Sequence, residues 1–335
     1  MLRVGISGFG AVGRRALRIA EGRTDLQVVA VNGPGASATM AHLFKYDSNY
    51  GVFPGEVRSD DDHLYVSGRS IRAFHEREPA RIDWGSAGVD LVLEASGRFN
   101  DPELAQDHLQ GGATHVVLAA PAKVHPAPTF VLGVNEEEFE PERDRVVSMG
   151  SCTTNCLLPV MKVLDSTFGV AEGMMTTVHS YTSDQNLLDK SHKDLRRARA
   201  AAMNIIPTST GAAKAVTAVW PEVGRRFHGL SLRVPTPVVS VIDLVVHMRR
   251  PAPAKEINAA FREAAEGPMQ GILAYSEDQL VSSDLRGDTH SAIVDGLLTA
   301  QVGELAKVVA WYDNEWGYAT RLVDFAGYIA KRVQR

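Results

Sequence analysis

The sequence predicts two domains, an α/β domain with a mainly parallel sheet over residues 1–150 and an α+β domain with a mostly antiparallel sheet over 151–317, closed by a helix over 318–335. Three observations predict it. The chain has 335 residues, too many for one ordinary hydrophobic core. The first half alternates strand-like and helix-like apolar runs, beginning with a glycine-rich turn between the first strand and the first helix. In the second half the strands lengthen, at 174–180, 230–234, 238–248, 293–301 and 305–311, the texture of an antiparallel sheet.

Residues 2–7 (LRVGIS) read as a buried strand, followed by Gly8, Phe9, Gly10, Ala11, Val12 and Gly13 and then by a helical pattern to Ala20. Residues 26–31 (LQVVAV) supply the next strand, and this βαβ context turns GxGxxG into a dinucleotide-binding (Rossmann) fingerprint. Gly8 makes the tight turn, Gly10 lets backbone approach a pyrophosphate at the helix N-terminus, and Gly13 lets helix and strand pack closely. The second strand ends in Asn32, Gly33, Pro34 and Gly35, with no acid until Asp47. A carboxylate there would repel a ribose 2′-phosphate, so its absence tolerates a phosphorylated ribose. Short strands near 57, 63–66 and 70–73 form a hairpin excursion around Ser67-Gly68. Residues 89–94 return to the sheet, 95–99 form a small-residue turn, 101–110 a helix, and 115–119, 129–132 and 146–148 further strands.

The last of these strands delivers the chain to SMGSCTTNC, residues 148–156. Ser151 is placed to cap a helix continuing through Leu157, Leu158, Val160 and Met161, which puts Cys152 in the first turn, where unpaired N–H groups point outward. The helix terminus contributes at most about 2 kcal/mol toward a thiolate, so a second partner is needed. His179, at the end of strand 174–180, is the best candidate, and the expectation is a Cys152 held ionised by its imidazole. Cys156, one turn on, reads as a core residue. Residues 181–207 lack periodicity and carry Lys190, Lys193, Arg196, Arg197 and Arg199; the following Thr208, Ser209, Thr210 and Gly211 suit bound phosphate. Arg233, a cation inside an apolar strand, calls for an anionic partner.

A formal net charge of −5 and a pI near 6.1 argue against a general nucleic-acid or membrane-surface binder. Two cysteines four residues apart cannot staple a fold, and no metal-ligand spacing is present. With no leader or membrane-spanning run read in the sequence, a reducing, cytoplasmic setting is expected.

With GFGAVG, SCTTN, the VHSYT histidine, DLRRARAAA, PTSTGAAK, LRVPTP and WYDNEWGY in this order, the chain resembles the phosphorylating glyceraldehyde-3-phosphate dehydrogenase family over essentially its whole length. The resemblance implies a Rossmann domain, a catalytic domain, a C-terminal helix packing back on the former, and a homotetramer in which the loop from Tyr181 lies against a neighbouring subunit's cofactor. It makes Cys152 the nucleophile and His179 its activator. Ser151, Thr153, Thr182, Arg197, Thr210, Gly211 and Arg233 match two phosphate-holding subsites for glyceraldehyde 3-phosphate and inorganic phosphate. Asn314 matches the residue bonded to the nicotinamide carboxamide, and Arg77 one near the adenine. No nucleic acid, membrane or metal is implied.

Several positions depart from the family's common pattern: Ser7 for Asn, Ala11 for Arg, Gly33 for an acid, Ala119 for Ser or Thr, and Met149-Gly150 for Asn-Ala. Lys190-Ser191 replaces a Leu-Pro pair common in NAD-specific members, and a serine in that place resembles the NADP-using photosynthetic and gluconeogenic branch. The expected cofactor is NADP or NAD, with NADP acceptance favoured and Lys190 a cation offered from the next subunit. Two alternatives stay open at this point: an erythrose-4-phosphate dehydrogenase, which usually lacks TSTGAAK, and a non-catalytic dinucleotide- or RNA-binding paralogue.

Overall fold

A computed structural model describes residues 1–333, so the last two residues of the expected C-terminal segment lie outside it. Two compact units emerge. Of the described residues, the first comprises 1–130, 137–150 and 319–333; the second comprises 131–136 and 151–318.

The first unit is built on an eight-stranded sheet. Leu2–Ser7 lies inside it, paired in parallel with Leu26–Asn32 on one side and Leu91–Glu94 on the other. His115–Leu118 and Val146–Ser148 extend the parallel array beyond Leu91–Glu94. On the opposite side Arg69–Phe74 pairs in parallel with Leu26–Asn32, and His63–Val66 and Val57–Ser59 follow as an antiparallel meander. The strand order therefore reverses at Leu2–Ser7, and ligands of open α/β sheets sit at the carboxyl tips of such a switch point. The parallel strands are buried nearly throughout, which is why they read as continuous apolar runs.

In the second unit the strand order is Ile206–Ser209, Phe227–Val234, Val170–Ser180, Ser240–Met248, Leu305–Tyr312, Ala292–Asp295, Leu273–Ser276, with Ala300–Val302 also paired to Leu305–Tyr312. Pairing is antiparallel except between Val170–Ser180 and Phe227–Val234 and between Leu273–Ser276 and Ala292–Asp295. The helix Cys152–Phe168 inserts Cys156, Leu157, Val160, Met161 and Leu164 into the core over this sheet, among Ile242, Leu244, Val308 and Ala310.

Three expected elements differ. Residues 129–132 form no strand: Thr129 makes a single bridge to Ser148, and the chain turns away at once through Val131–Asn135 hydrogen bonds. The expected helix 101–110 is two short pieces, Pro102–Ala105 and Asp107–Gln110, the first opened by Asp101 as N-cap. The expected strand 293–301 is interrupted by a turn of 3₁₀ helix at Gly296–Leu298 between Ala292–Asp295 and Ala300–Val302. At 129–132 the apolar run hides the break, because hydrophobicity reports burial and not continuity, whereas Asp295-Gly296 marks the interruption of 293–301 in the sequence itself.

Candidate active site

In the first unit, the carboxyl tips at the switch point open into a cavity of about 350 Å3. Gly8, Gly10, Gly33 and Arg77 line it, with Asn32, Glu76, Ala95, Ser96, Arg98 and Phe99. Gly8 has φ +94°, and a Cβ on it would lie 2.3 Å from the Ser96 nitrogen. A Cβ on Gly13 would lie 2.2 Å from the Gly8 carbonyl oxygen. At Gly10, by contrast, a Cβ would meet nothing within 4 Å. Gly10 is also the N-cap of helix Ala11–Ala20 and supplies no side chain to it, so the first-turn amides of Ala11, Val12 and Gly13 have no helical acceptor. This bare, open helix start is a cradle for a pyrophosphate, so the residues present fit a dinucleotide. Ala119 follows strand His115–Leu118 and donates its N–H to the Glu94 carbonyl.

Sequence reading missed the network behind the Ala95-Ser96 turn. Glu94 is fully buried and accepts from the Ser96 N–H at 2.8 Å and from the Ser96 hydroxyl, while its other oxygen faces His108 Nε2 at 2.9 Å. Trp84 Nε1 donates to His108 Nδ1 at 3.0 Å, which makes Nε2 the protonated nitrogen and the donor to Glu94. No local pattern joins residues 84, 94 and 108; the sheet brings them together. Asn32 was likewise unassigned, and its side chain is spent on both polar groups of the Glu76 backbone, at 3.1 and 3.0 Å.

In the second unit, Ser151 caps helix Cys152–Phe168 through a capping box: its hydroxyl accepts from the Thr154 N–H at 3.0 Å, and its own N–H donates to the Thr154 hydroxyl at 3.2 Å. That fixes Cys152 in the first turn. Its Sγ lies 3.4 Å from Nε2 of His179. His179 is nearly fully buried near the end of strand Val170–Ser180, and the parallel register sets Arg233 directly beside it. The Ser180 carbonyl is 2.7 Å from His179 Nδ1 and 3.2 Å from an Arg233 amino group. A carbonyl only accepts, so Nδ1 carries the proton and Nε2 turns a lone pair toward the sulfur. The Arg233 amino group, 3.0 Å from Nδ1, gives its hydrogen to the same carbonyl and not to the ring, so it bears on His179 through its charge, which opposes a second proton.

Electrostatics correct one expectation. Burial, and after it the Arg233 charge, push His179 down to about 3. Burial also pushes the Cys152 thiol up, against the pull of Arg233. Burial of both groups thus works against the ionised sulfur expected from the helix terminus and histidine, while the Arg233 charge works for it. The reason is desolvation, which exceeds the effect of the helix amides on a half-buried sulfur.

Tyr312, which sequence reading did not single out, packs its ring edge-on to His179 with centroids 5.9 Å apart. Its hydroxyl meets the hydroxyls of Thr153 and Thr177, each at 2.8 Å. Thr153 is buried and its hydroxyl is thereby engaged. Arg233 Nε is buried with no hydrogen-bond partner among the described residues, a donor left for an anion. Arg197 donates to Thr208 Oγ1 at 2.9 Å and to the Ser209 carbonyl at 3.1 Å, and pairs with Asp184. Its charge reaches both His179 and Arg233. Thr182 exchanges hydrogen bonds with Gln185, Thr210 accepts from the Ala212 N–H, and Gly211 begins helix Ala212–Val219. Lys190 and Ser191 are exposed. Asn314 is buried, and its Oδ1 accepts from Ser240 at 3.0 Å. Among the described residues no group of three or more His, Cys, Asp or Glu could hold a metal ion, and no helix is long and apolar enough to cross a membrane.

Residues 2–102 match the family model described as glyceraldehyde 3-phosphate dehydrogenase, NAD binding domain, and residues 151–314 that of the C-terminal domain. A glyceraldehyde-3-phosphate dehydrogenase of Geobacillus stearothermophilus is 51% identical over 332 residues, 99% of each chain. The chain belongs to the glyceraldehyde 3-phosphate dehydrogenase family. A chloroplastic glyceraldehyde-3-phosphate dehydrogenase A of Chlamydomonas reinhardtii is also 51% identical, over 99% of this chain and 89% of the relative. Glyceraldehyde-3-phosphate dehydrogenase 1 of Bacillus subtilis is 50% identical over 99% of each. The two glyceraldehyde 3-phosphate dehydrogenase domain matches contain the glycine cradle and the Cys152–His179 pair respectively, so the chain has an NAD(P)-binding domain of Rossmann type and the family's C-terminal domain.

Proposed function

We propose that the protein oxidises glyceraldehyde 3-phosphate with a nicotinamide dinucleotide and inorganic phosphate to the acyl phosphate. The observation that carries the reading is the contact of Cys152 Sγ with the unprotonated Nε2 of His179 at 3.4 Å. As sulfur adds to the aldehyde carbon, the thiol proton passes to Nε2, and His179 returns it to the new oxyanion, leaving a neutral hemithioacetal. The cofactor, when bound, supplies the two-electron acceptor that turns this adduct into a thioester. His179 takes the hydroxyl proton as the C–H bond breaks, and the Cys152 N–H, free in the first helical turn, supports the oxygen. Phosphate then attacks the acyl carbon, and Cys152 departs as thiolate and recovers its proton from the imidazolium.

The two phosphate groups are assigned to Arg233, Thr182, Arg197, Ser151, Thr153, Thr210 and Gly211; the orphaned Nε of Arg233 and the charge of Arg197 support the assignment, Thr153 acting through its backbone. Gly8, Gly10, Ala11, Val12, Gly13, Gly33, Arg77 and Ala119 are assigned to the dinucleotide, and Asn314 to its nicotinamide substituent. Acceptance of NADP is favoured by Gly33 in place of an acid, by Arg77 and Arg98 on the cavity wall, and by Lys190 and Ser191 offered from a neighbouring copy. A homotetramer is supported by Leu187, Leu188, Leu195, Met203 and Ile205, all exposed in and after the loop from Tyr181. The test is the rate of reduced nicotinamide formation with NAD and NADP at equal concentration, on glyceraldehyde 3-phosphate and erythrose 4-phosphate, with and without phosphate. Phosphate-independent or absent turnover, with Cys152 freely alkylated, would overturn the reading, and activity confined to NAD would overturn the cofactor preference.

A further inference from the structure

Ser240 begins strand Ser240–Met248 and is nearly fully buried. Its Oγ lies 3.1 Å from the Ser180 backbone nitrogen and 3.0 Å from Asn314 Oδ1. The backbone N–H only donates, so it uses a lone pair of the serine oxygen and leaves the hydroxyl hydrogen to find an acceptor. Asn314 Oδ1 is that acceptor. Were the Asn314 amide turned over, two donors would face one buried hydroxyl whose own hydrogen had nowhere to go. The amide is therefore held with Oδ1 occupied and Nδ2 available, and no described residue accepts from Nδ2.

The backbone is built to hold this serine. Val239, just before it, has φ 69°, a conformation that a β-branched residue adopts only under constraint. The Ser180 hydroxyl donates to the Val239 carbonyl at 2.9 Å and holds it there. Ser180 thus serves two ends: its carbonyl fixes His179, and its N–H, through Ser240, fixes Asn314.

We infer that Ser240 is a positioning and specificity residue that turns Asn314 into a pure donor, so that the site recognises the carbonyl oxygen on the pyridinium ring and ignores the amide nitrogen beside it. The inference rests on the assignment of Asn314 to the nicotinamide substituent. A 3-acetylpyridine dinucleotide keeps the carbonyl and replaces the NH2 by methyl, so it is the informative probe.

The experiment measures, in the full-length protein, dissociation constants for the nicotinamide dinucleotide, its 3-acetylpyridine analogue, and ADP-ribose, which lacks the ring. In the wild type the first two are expected to agree within about twofold. In Ser240→Ala the nicotinamide dinucleotide binds several-fold to about tenfold more weakly. ADP-ribose is unchanged. A preference for carboxamide over acetyl appears as well, because the released amide can turn and accept from NH2. Should Ser240→Ala fail to fold, seen as loss of ADP-ribose binding, Ser240→Cys decides by the same ratios, since its weaker donor shifts them in the same direction. Asn314→Ala separates the two levels of the argument. If it leaves the nicotinamide dinucleotide unaffected relative to ADP-ribose, the assignment of Asn314 is wrong. If Asn314→Ala weakens binding while Ser240→Ala and Ser240→Cys keep wild-type ratios, the role of Ser240 is overturned and that of Asn314 stands.

Discussion

Removing the imidazole, as in His179→Ala, should change the shape of the pH profile of Cys152 reactivity, and the structure sets the scale. The thiol lies above its ordinary 9.0 and the imidazole near 3, so moving the proton from sulfur to Nε2 is uphill by more than about six pKa units before the two charges attract. At 3.4 Å and an effective dielectric of about 20 that attraction recovers roughly 5 kcal/mol, or about 3.5 pKa units. The ion pair is then a minor species, at most roughly a few tenths of a per cent of the total. Its amount is nonetheless independent of pH between the two titrations, because forming it neither takes up nor releases a proton. Alkylation of the wild type by iodoacetamide should therefore be flat from about pH 4 to about pH 6, above which free thiolate outgrows the ion pair. It should fall at lower pH, as a second proton enters the pair, and rise at higher pH, as the thiol ionises. In His179→Ala only free thiolate reacts, and the rate should climb tenfold per pH unit across that range. Turnover at neutral pH should drop by about 10²- to 10⁴-fold, the ordinary worth of a positioned base. A wild-type alkylation profile that climbs like the variant's between about pH 4 and about pH 6 would refute the reasoning.

Other consequences are simpler. Gly33→Asp is sterically mild, since the new Cβ would come closest to the flexible end of Met40, at 3.0 Å, and meet Phe9 only at ordinary contact distance; it should cut kcat/KM for NADP at least tenfold and leave NAD little changed, as read from initial rates. Gly8→Ala drives a methyl onto the Ser96 backbone at φ +94°, so a loss of about 2 kcal/mol or more in urea unfolding is expected, with weakened ADP-ribose binding. Tyr312→Phe leaves the buried hydroxyls of Thr153 and Thr177 without their shared partner and should cost about 1–3 kcal/mol of stability by thermal unfolding. Arg233→Ala should raise KM for glyceraldehyde 3-phosphate by at least tenfold; the same initial-rate assay checks it, and an unchanged KM would remove Arg233 from the phosphate site.

Much of this protein is determined locally. The strand, glycine turn and helix of residues 2–20 are legible because each element needs specific residues at fixed spacing, and the Ser151 cap with Cys152 behind it follows the same logic. The break at 129–132 lies in an apolar run and depends on which neighbour it pairs with, whereas Asp295-Gly296 already marks the interruption of 293–301. Tertiary structure alone decided the rest. Burial lowers the imidazole of His179, and parallel pairing adds the charge of Arg233 beside it, while the Ser180 carbonyl fixes the tautomer. Tyr312, Ser240 and the Trp84–His108–Glu94 network likewise owe their partners to the sheets. The protonation state of Cys152 was beyond sequence for the same reason: a motif names the ionisable groups, but the balance between their attraction and their loss of water depends on burial, which exists only once the chain is packed.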